Sequence, residues 1–256
     1  SRTFRCWRRG GHGTLNVLSA LQYSCDVYFY QTGLKLGIDL LMKWCREFRL
    51  GEPTGIDLPG EASGTIAGPE WKKRRFRENW YPGDTINYSI GQGYLLLTPL
   101  QIARVYAAIA NGGRLVYPFL CDRAYREPTG LPVGREKLAT VQKGLEYVVR
   151  KGTGARAGQF GVTIAGKTGT AQVPDENGNL TKRVGTFVGV LPAEKPQIAV
   201  AVVVYNGSGA GYGGEVAAPV FSQVSTFAVR QLGIAPSTTP LYKYPWYKSE
   251  MSNRNG

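Results

Sequence analysis

Histidine is nearly missing from this chain: His12 is the only one in 256 residues. A Ser-His-Asp triad would have to run through it. Yet "RGGHGT" places no acid beside it, and no G-x-S-x-G elbow occurs anywhere. His12 therefore reads as a structural or exposed residue. Cysteine is sparse too. Cys6, Cys25, Cys45 and Cys121 stand far apart with no C-x-x-C pair. Zinc sites usually draw ligands paired in sequence, so no metal and no cofactor is expected. Long apolar runs are absent. The longest, Ile198 to Tyr205, has the length of a strand, far short of the roughly 18–20 residues that span a bilayer. "SRTFRCWRRGGHG" has no apolar centre and no initiator methionine, so a signal peptide is not expected and a piece of a longer product is.

Acid is also scarce: 18 Asp and Glu face 31 Lys and Arg, for a net charge of +13. Such an imbalance favours an anionic partner such as nucleic acid, acidic lipid or an acidic polymer. The densest cluster is "WKKRRFR", with Lys72, Lys73, Arg74, Arg75 and Arg77 between Trp71 and Phe76. Interleaved aromatics are what a stacking nucleic-acid site would show, but no nucleic-acid module surrounds them. A solvated basic surface loop is the expectation, with no nucleic acid as partner.

The first half reads as helical. "LNVLSALQYSCDVYFYQTGLKLG" carries apolar residues at helical spacing up to Gly37, and "DLLMKWCREFRLG" repeats the pattern up to Gly51. A turn-rich connection, "EPTGIDLPGEASGTIAGPEW", follows. "TPLQIARVYAAIANGG" has Thr98 as N-cap, Pro99 at the first helical position and Asn111-Gly112 as a stop. A further helix is expected across "REKLATVQKGLEYVVRKG". From Gly161 the texture changes to three β-rich runs, "VTIAGKTGTAQV", "RVGTFVGVL" and "QIAVAVVVY", separated by the turn-like "PDENGNLTK" and "PAEKP". A helix across "EVAAPVFSQVSTFAVRQLG" closes the chain. Helices followed by an antiparallel meander indicate an α+β fold. The expected domain spans 1–235, mainly helical over 1–160 and strand-rich over 161–235, with 236–256 a loose tail. Gly209, Gly211 and Gly214 spell G-x-G-x-x-G, but no acid lies about 20 residues on and the strands are hairpin-linked, which argues against a dinucleotide site.

"AGKTGTAQV" interrupts an apolar strand with a lysine, two threonines and two glycines. These residues make sense on an edge strand that receives an extended substrate. Gly169 removes a side chain where another backbone approaches. The Thr168 hydroxyl and the Lys167 ammonium can hold a carboxylate, and the Thr170 N–H can polarise a carbonyl. K-T-G alone is a short motif, and a strand end with a solvent-facing lysine would also produce it. It accompanies S-x-x-K and a second Ser motif in penicillin-binding proteins and serine β-lactamases, and here Ser24-Cys25-Asp26 stands in the place of the second motif.

The extended blocks "GGHGTLNVLSALQYSCDVYFYQTGLKLG", "INYSIGQGYLLLTPLQIARVYAAIANGG", "AGKTGTAQV", "FVGVLPAEKPQIAVAVVV" and "GGEVAAPVF" resemble the class B penicillin-binding proteins of the cell-elongation type, in matching order from about Phe4 to Leu232. The resemblance implies the penicillin-binding protein/serine β-lactamase-like transpeptidase fold, incomplete at its N-terminus, and a peptidoglycan D,D-transpeptidase acting through a serine acyl-enzyme. It implies that Ser24 relays protons, that Lys167 and Thr168 hold the terminal carboxylate, and that the Thr170 N–H polarises the carbonyl. Asp26 stands where the family more often has Asn, which both donates and accepts, whereas ionised Asp only accepts. No serine is followed three positions later by lysine, so the nucleophile motif is expected upstream and the isolated chain is expected to be inactive. The implied partners are D-Ala-D-Ala stem peptides, β-lactams, a glycosyltransferase and elongation-complex proteins. The implied location is the extracytoplasmic face of the inner membrane, with an anchor outside this chain. A carboxypeptidase or β-lactamase would resolve the acyl-enzyme with water, and no E-x-x-x-N element favours that. An inactive scaffold or β-lactam sensor is the alternative outside enzymology, and the intact "SCD" and "KTGT" argue against it.

Overall fold

The computed structural model describes residues 3–158, 161–173, 182–206 and 211–237. Helices α1 (Val17–Gln22) and α2 (Asp26–Glu47) come first, α2 being two helices joined across a kink at Gly37, the expected stop, whose φ is 77°; strand β1 (Thr65–Ile66) and helices α3 (Pro69–Phe76) and α4 (Pro82–Tyr88) follow. Strand β2 (Leu95–Leu96), helix α5 (Pro99–Ala110), strands β3 (Arg114–Leu115) and β4 (Thr129–Gly130) and helix α6 (Arg135–Lys151) complete the first part. Strands β5 (Ala165–Val173), β6 (Lys182–Leu191) and β7 (Ile198–Asn206) then form one sheet, and helices α7 (Gly213–Val216) and α8 (Ala218–Gln231) follow.

The start of α5 shows why sequence and structure agree there. Thr98 accepts a bond from the Gln101 N–H at 3.2 Å, while Gln101 Oε1 accepts from the Thr98 N–H at 2.9 Å. Pro99 sits where a missing N–H costs nothing. The same buried Gln101 side chain donates to the carbonyls of Glu52 and Ser63, both at 2.8 Å, and so ties the turn-rich connection to the helix.

The meander is antiparallel, in the order β5-β6-β7, with Lys167 opposite Val188, Thr168 opposite Phe187, and Phe187 opposite Val202. The α+β expectation holds. One face carries Phe187 and Leu191, which pack on Phe221, Ala217 and Ala218, with the Phe187 and Phe221 rings 4.6 Å apart. Each fully buried Phe contributes about 1.5–3 kcal/mol. On the other face Val190 and Ala165 pack against Leu145 and Val141 of α6 and Tyr106 and Ile109 of α5. Helices thus cover both faces of the sheet. Among the described residues, β5 and β7 each keep one edge without a neighbouring strand.

Three expectations need correction. The segment from Leu15 to Gly37 is two helices, not one, because Ser24 adopts a left-handed φ of 49° between them. The N–H groups of Ser24 and Cys25 bond back to Leu21 and Ala20, which closes α1 before α2 begins. "WKKRRFR" is not a solvated loop: residues 69–76 are helix α3, and Lys72 is buried. The closing helix is divided at Ala217 into α7 and α8, just before Pro219. The turn "PDENGNLTK" up to Thr181, the tail 236–256 beyond Ser237, and Gly209 of the glycine decoy lie outside the described residues.

Candidate active site

Ser24 owes its place to the break between α1 and α2. The Trp7 indole N–H is shared between the carbonyls of Tyr23 and Ser24, at 3.0 and 3.1 Å, and the Trp7 backbone N–H donates to Asp26 Oδ2 at 2.9 Å. From the other side, Gln22 Nε2 donates to the Lys151 carbonyl at 3.1 Å, and the Thr153 N–H donates to the Gln22 carbonyl at 3.3 Å. The end of α1 is therefore fastened to the end of α6. A non-glycine residue with positive φ costs about 1–2 kcal/mol, and these bonds hold Ser24 there.

The break aims Ser24 at β5. Lys167 Nζ donates to Ser24 Oγ and, at 3.0 Å, to the Thr168 carbonyl. Ser24 Oγ shares a hydrogen bond with Thr153 Oγ1 at 3.1 Å, and Thr153 Oγ1 shares another with Thr168 Oγ1 at 2.8 Å. An ammonium has three donors, and the described residues take two of them. Burial lowers the Lys167 pKa to about 8, against the opposing pull of the Asp26 charge. At neutral pH the lysine is still mostly cationic, but it holds its proton far less firmly than a lysine in water.

The outer edge of β5 has no neighbouring strand among the described residues. The Thr170 carbonyl accepts from Gln92 Nε2 at 3.1 Å. In an antiparallel ladder the N–H and C=O of one residue point to the same side. The Thr170 N–H therefore lies on the outer edge, with the Lys167–Ser24 contact three residues back along the strand. A Cβ on Gly169 would run into Thr186 Oγ1 of β6. The neighbouring strand therefore also requires the bare position that the sequence suggested for an approaching backbone. Gly213 has a parallel cause, since a Cβ there would strike the Gly169 carbonyl, and its N–H donates to Thr170 Oγ1 at 2.9 Å. Helix α7 accordingly sits directly on the K-T-G-T segment. Gly214 also packs closely, against the Thr153 carbonyl, and the strand before it belongs to an antiparallel meander, so nothing here has the geometry of a dinucleotide fingerprint.

All the residues singled out in sequence, Ser24, Asp26, Lys167, Thr168, Gly169 and Thr170, lie at this junction. Asp26 does not touch the Lys167–Ser24 pair; it holds Trp7 and acts on Lys167 through its charge. Two residues were missed. Thr153 stands in "KGTG" just after a helix, and Gln92 stands between Gly91 and Gly93, both left-handed at φ 74° and 75°. A polar residue flanked by glycines beside a regular element was the available signal in both cases.

His12 is half-buried, stacked on Tyr23 with centroids 5.5 Å apart, and its Nδ1 lies 3.4 Å from Cys6 Sγ. Burial lowers its pKa, with Arg8 adding to the effect. The ligand atoms of Cys6, His12 and Cys25 all lie within 4.8 Å of one another. The wide spacing of the cysteines in sequence therefore does not exclude a metal. Two sulfurs and one imidazole suit a soft divalent ion and would leave a tetrahedral one a fourth position open.

Residues 1–226 match the family described as Penicillin binding protein transpeptidase domain. The chain belongs to that family. It is 38% identical over 242 residues to the peptidoglycan D,D-transpeptidase MrdA of Acinetobacter baumannii, covering 86% of this chain and 36% of that protein. It is 33% identical over 257 residues to the stage V sporulation protein D of Bacillus subtilis, covering 94% and 38% respectively. Among solved structures it is similar to Pseudomonas aeruginosa PBP2 in complex with WCK 5153, with a TM-score of 0.80 and 36% identity over 94% of this chain and 54% of that one. It is likewise similar to Helicobacter pylori PBP2 in complex with MreC, with a TM-score of 0.79 and 34% identity over 90% and 42%. The penicillin-binding transpeptidase fold is thereby shown, and the chain spans less than two-fifths of the length of these two curated relatives.

Proposed function

We propose that this chain is the C-terminal part of a peptidoglycan D,D-transpeptidase of the elongation type. The observation that carries the reading is the convergence of Lys167, Ser24, Thr153 and Thr168 beside the outer edge of β5, where an extended peptide can lie. The nucleophile is a serine of an S-x-x-K motif, which is not among these 256 residues.

In this reading the acyl donor ends in D-Ala-D-Ala and lies along β5. Its terminal carboxylate takes a Lys167 donor and the Thr168 hydroxyl, each a charge-assisted bond. The Thr170 N–H points at the penultimate carbonyl and stabilises negative charge as the serine adds. The C–N bond to the terminal D-Ala then breaks, and Ser24 passes a proton to the departing amine. An amine from a second stem peptide attacks the ester, loses its proton through the same hydroxyl, and restores the serine. β-Lactams would acylate the same serine.

The protein acts at the extracytoplasmic face of the bacterial inner membrane, held by an anchor outside this chain, and works with a glycosyltransferase and elongation-complex proteins. The MreC complex of the Helicobacter pylori relative supports a protein partner of the second kind. Labelling with fluorescent penicillin tests the assignment of roles. The full-length protein should form one covalent adduct, on a serine upstream of Ser1, and the 256-residue chain alone should form none. An adduct on Ser24 would overturn it.

A further inference from the structure

The candidate site uses a single lysine of a chain whose net charge is +13. The densest part of the remainder is on α3. Its one buried cation, Lys72, lies 2.8 Å from Asp84 and 3.4 Å from Glu78, and so engages both of those carboxylates. Lys73, Arg74, Arg75 and Arg77 are exposed and form no ion pair among the described residues. Glu70 stands one turn before Lys73 and Arg74 on the same helix without pairing to them, so four exposed cations share one exposed acid.

The aromatic side of α3 is connected to the cleft. Trp71 and Phe76 of α3 pack on Tyr94, each at 5.4 Å between centroids. Tyr94 ends the Gly91-Gln92-Gly93 turn, and Gln92 is the residue that bonds the Thr170 carbonyl on β5. The same contacts say what the face does not bind. The aromatic rings that could stack on bases are packed on one another, so a single-stranded nucleic acid finds no platform. An interfacial membrane helix needs an apolar face to insert, and α3 exposes only Phe76 among its large apolar side chains.

We propose that the basic face of α3 is a docking surface for carboxylate-bearing, uncross-linked peptidoglycan strands, holding the polymer beside the β5 edge where its stem peptides react. The proposal rests on the transpeptidase reading for its choice of polymer. Guanidinium groups match carboxylates in fork geometry, and a cationic border raises the local concentration of an anionic chain. Each exposed pair is weak on its own, but successive stem peptides on one strand offer several pairs at once.

The test uses the full-length protein with Lys73, Arg74, Arg75 and Arg77 all replaced by Gln. Soluble uncross-linked peptidoglycan strands serve as probe, beside the same strands with their carboxylates amidated and beside phosphatidylglycerol vesicles. The wild type should bind the anionic strands in a salt-sensitive way, and the variant about tenfold or more weakly. Its acylation by labelled penicillin should stay within about twofold, because none of the four touches the cleft. If the fourfold variant does not fold, the single substitutions Arg74→Glu and Arg75→Glu should each weaken strand binding by about threefold. Equal binding by wild type and variants, equal affinity for amidated strands, or a charge-dependent affinity confined to the vesicles would each overturn the proposal. Failure of penicillin to acylate the wild type would instead count against the transpeptidase reading, since strand binding is measured without it.

Discussion

Lys167 should impose an alkaline limit on acylation that a permanently charged side chain removes. With a pKa of about 8, the cationic fraction falls from about nine-tenths at pH 7 to about one-tenth at pH 9. If the ammonium holds the ligand carboxylate, the second-order rate of penicillin acylation should drop about tenfold over that interval. Lys167→Ala should lower the rate at pH 7 by about 10–150-fold, corresponding to a lost charge-assisted bond of about 1.5–3 kcal/mol. Lys167→Arg should be slower than wild type at pH 7 but show no alkaline limb, because guanidinium does not titrate there. Asp26→Asn supplies the sign check. Asp26 raises the Lys167 pKa, so removing its charge should move the limb to lower pH. Stopped-flow acylation of the full-length protein from pH 6 to 10 gives all four profiles. An alkaline limb that persists in Lys167→Arg would show that another group titrates, and the reasoning would fail.

Thr153→Val keeps the shape and removes the hydroxyl that Ser24 and Thr168 share; acylation should slow by about tenfold with the melting temperature nearly unchanged. Gly213→Ala should both destabilise the protein and slow acylation, because its methyl has only the backbone of Gly169 and Thr186 to push against; a thermal melt indistinguishable from wild type would contradict the packing described here. The 256-residue chain expressed alone should form oligomers on size-exclusion chromatography, since the apolar run Ile198 to Tyr205 of β7 leaves an edge without a neighbouring strand among the described residues; a clean monomer would mean that the edge is covered.

Local chemistry explains where the sequence could be read. Pro99 after Thr98 marks the start of α5 through bonds made within four residues, and β5 to β7 are marked by the β-rich composition of their own residues. What escaped reading depends on residues far apart. The break at Ser24 exists because Trp7 and the end of α6 draw on it, and apolar spacing across Leu15–Gly37 runs through the break undisturbed. Lys72 disappears into the protein because Asp84 and Glu78 arrive from the next helix and its approach, 12 and 6 residues on. Thr153 reaches Ser24 across 129 positions, and Cys6 and His12 reach Cys25 only after the N-terminal segment folds back. The six site residues were legible for a different reason: two short motifs in the order of a known family. Their roles came with that resemblance, whereas Gln92 and Thr153 became visible only through geometry.

The most direct measurement is the fate of the terminal D-Ala when the full-length protein acts on uncross-linked strands bearing stem pentapeptides. Released D-Ala and newly formed cross-links should appear in equal amounts. Ser24→Ala should lower both together by about 10²–10⁴-fold while the protein melts at its usual temperature. Release of D-Ala without cross-links would make the enzyme a hydrolase, and undiminished cross-linking by Ser24→Ala would contradict the site as described.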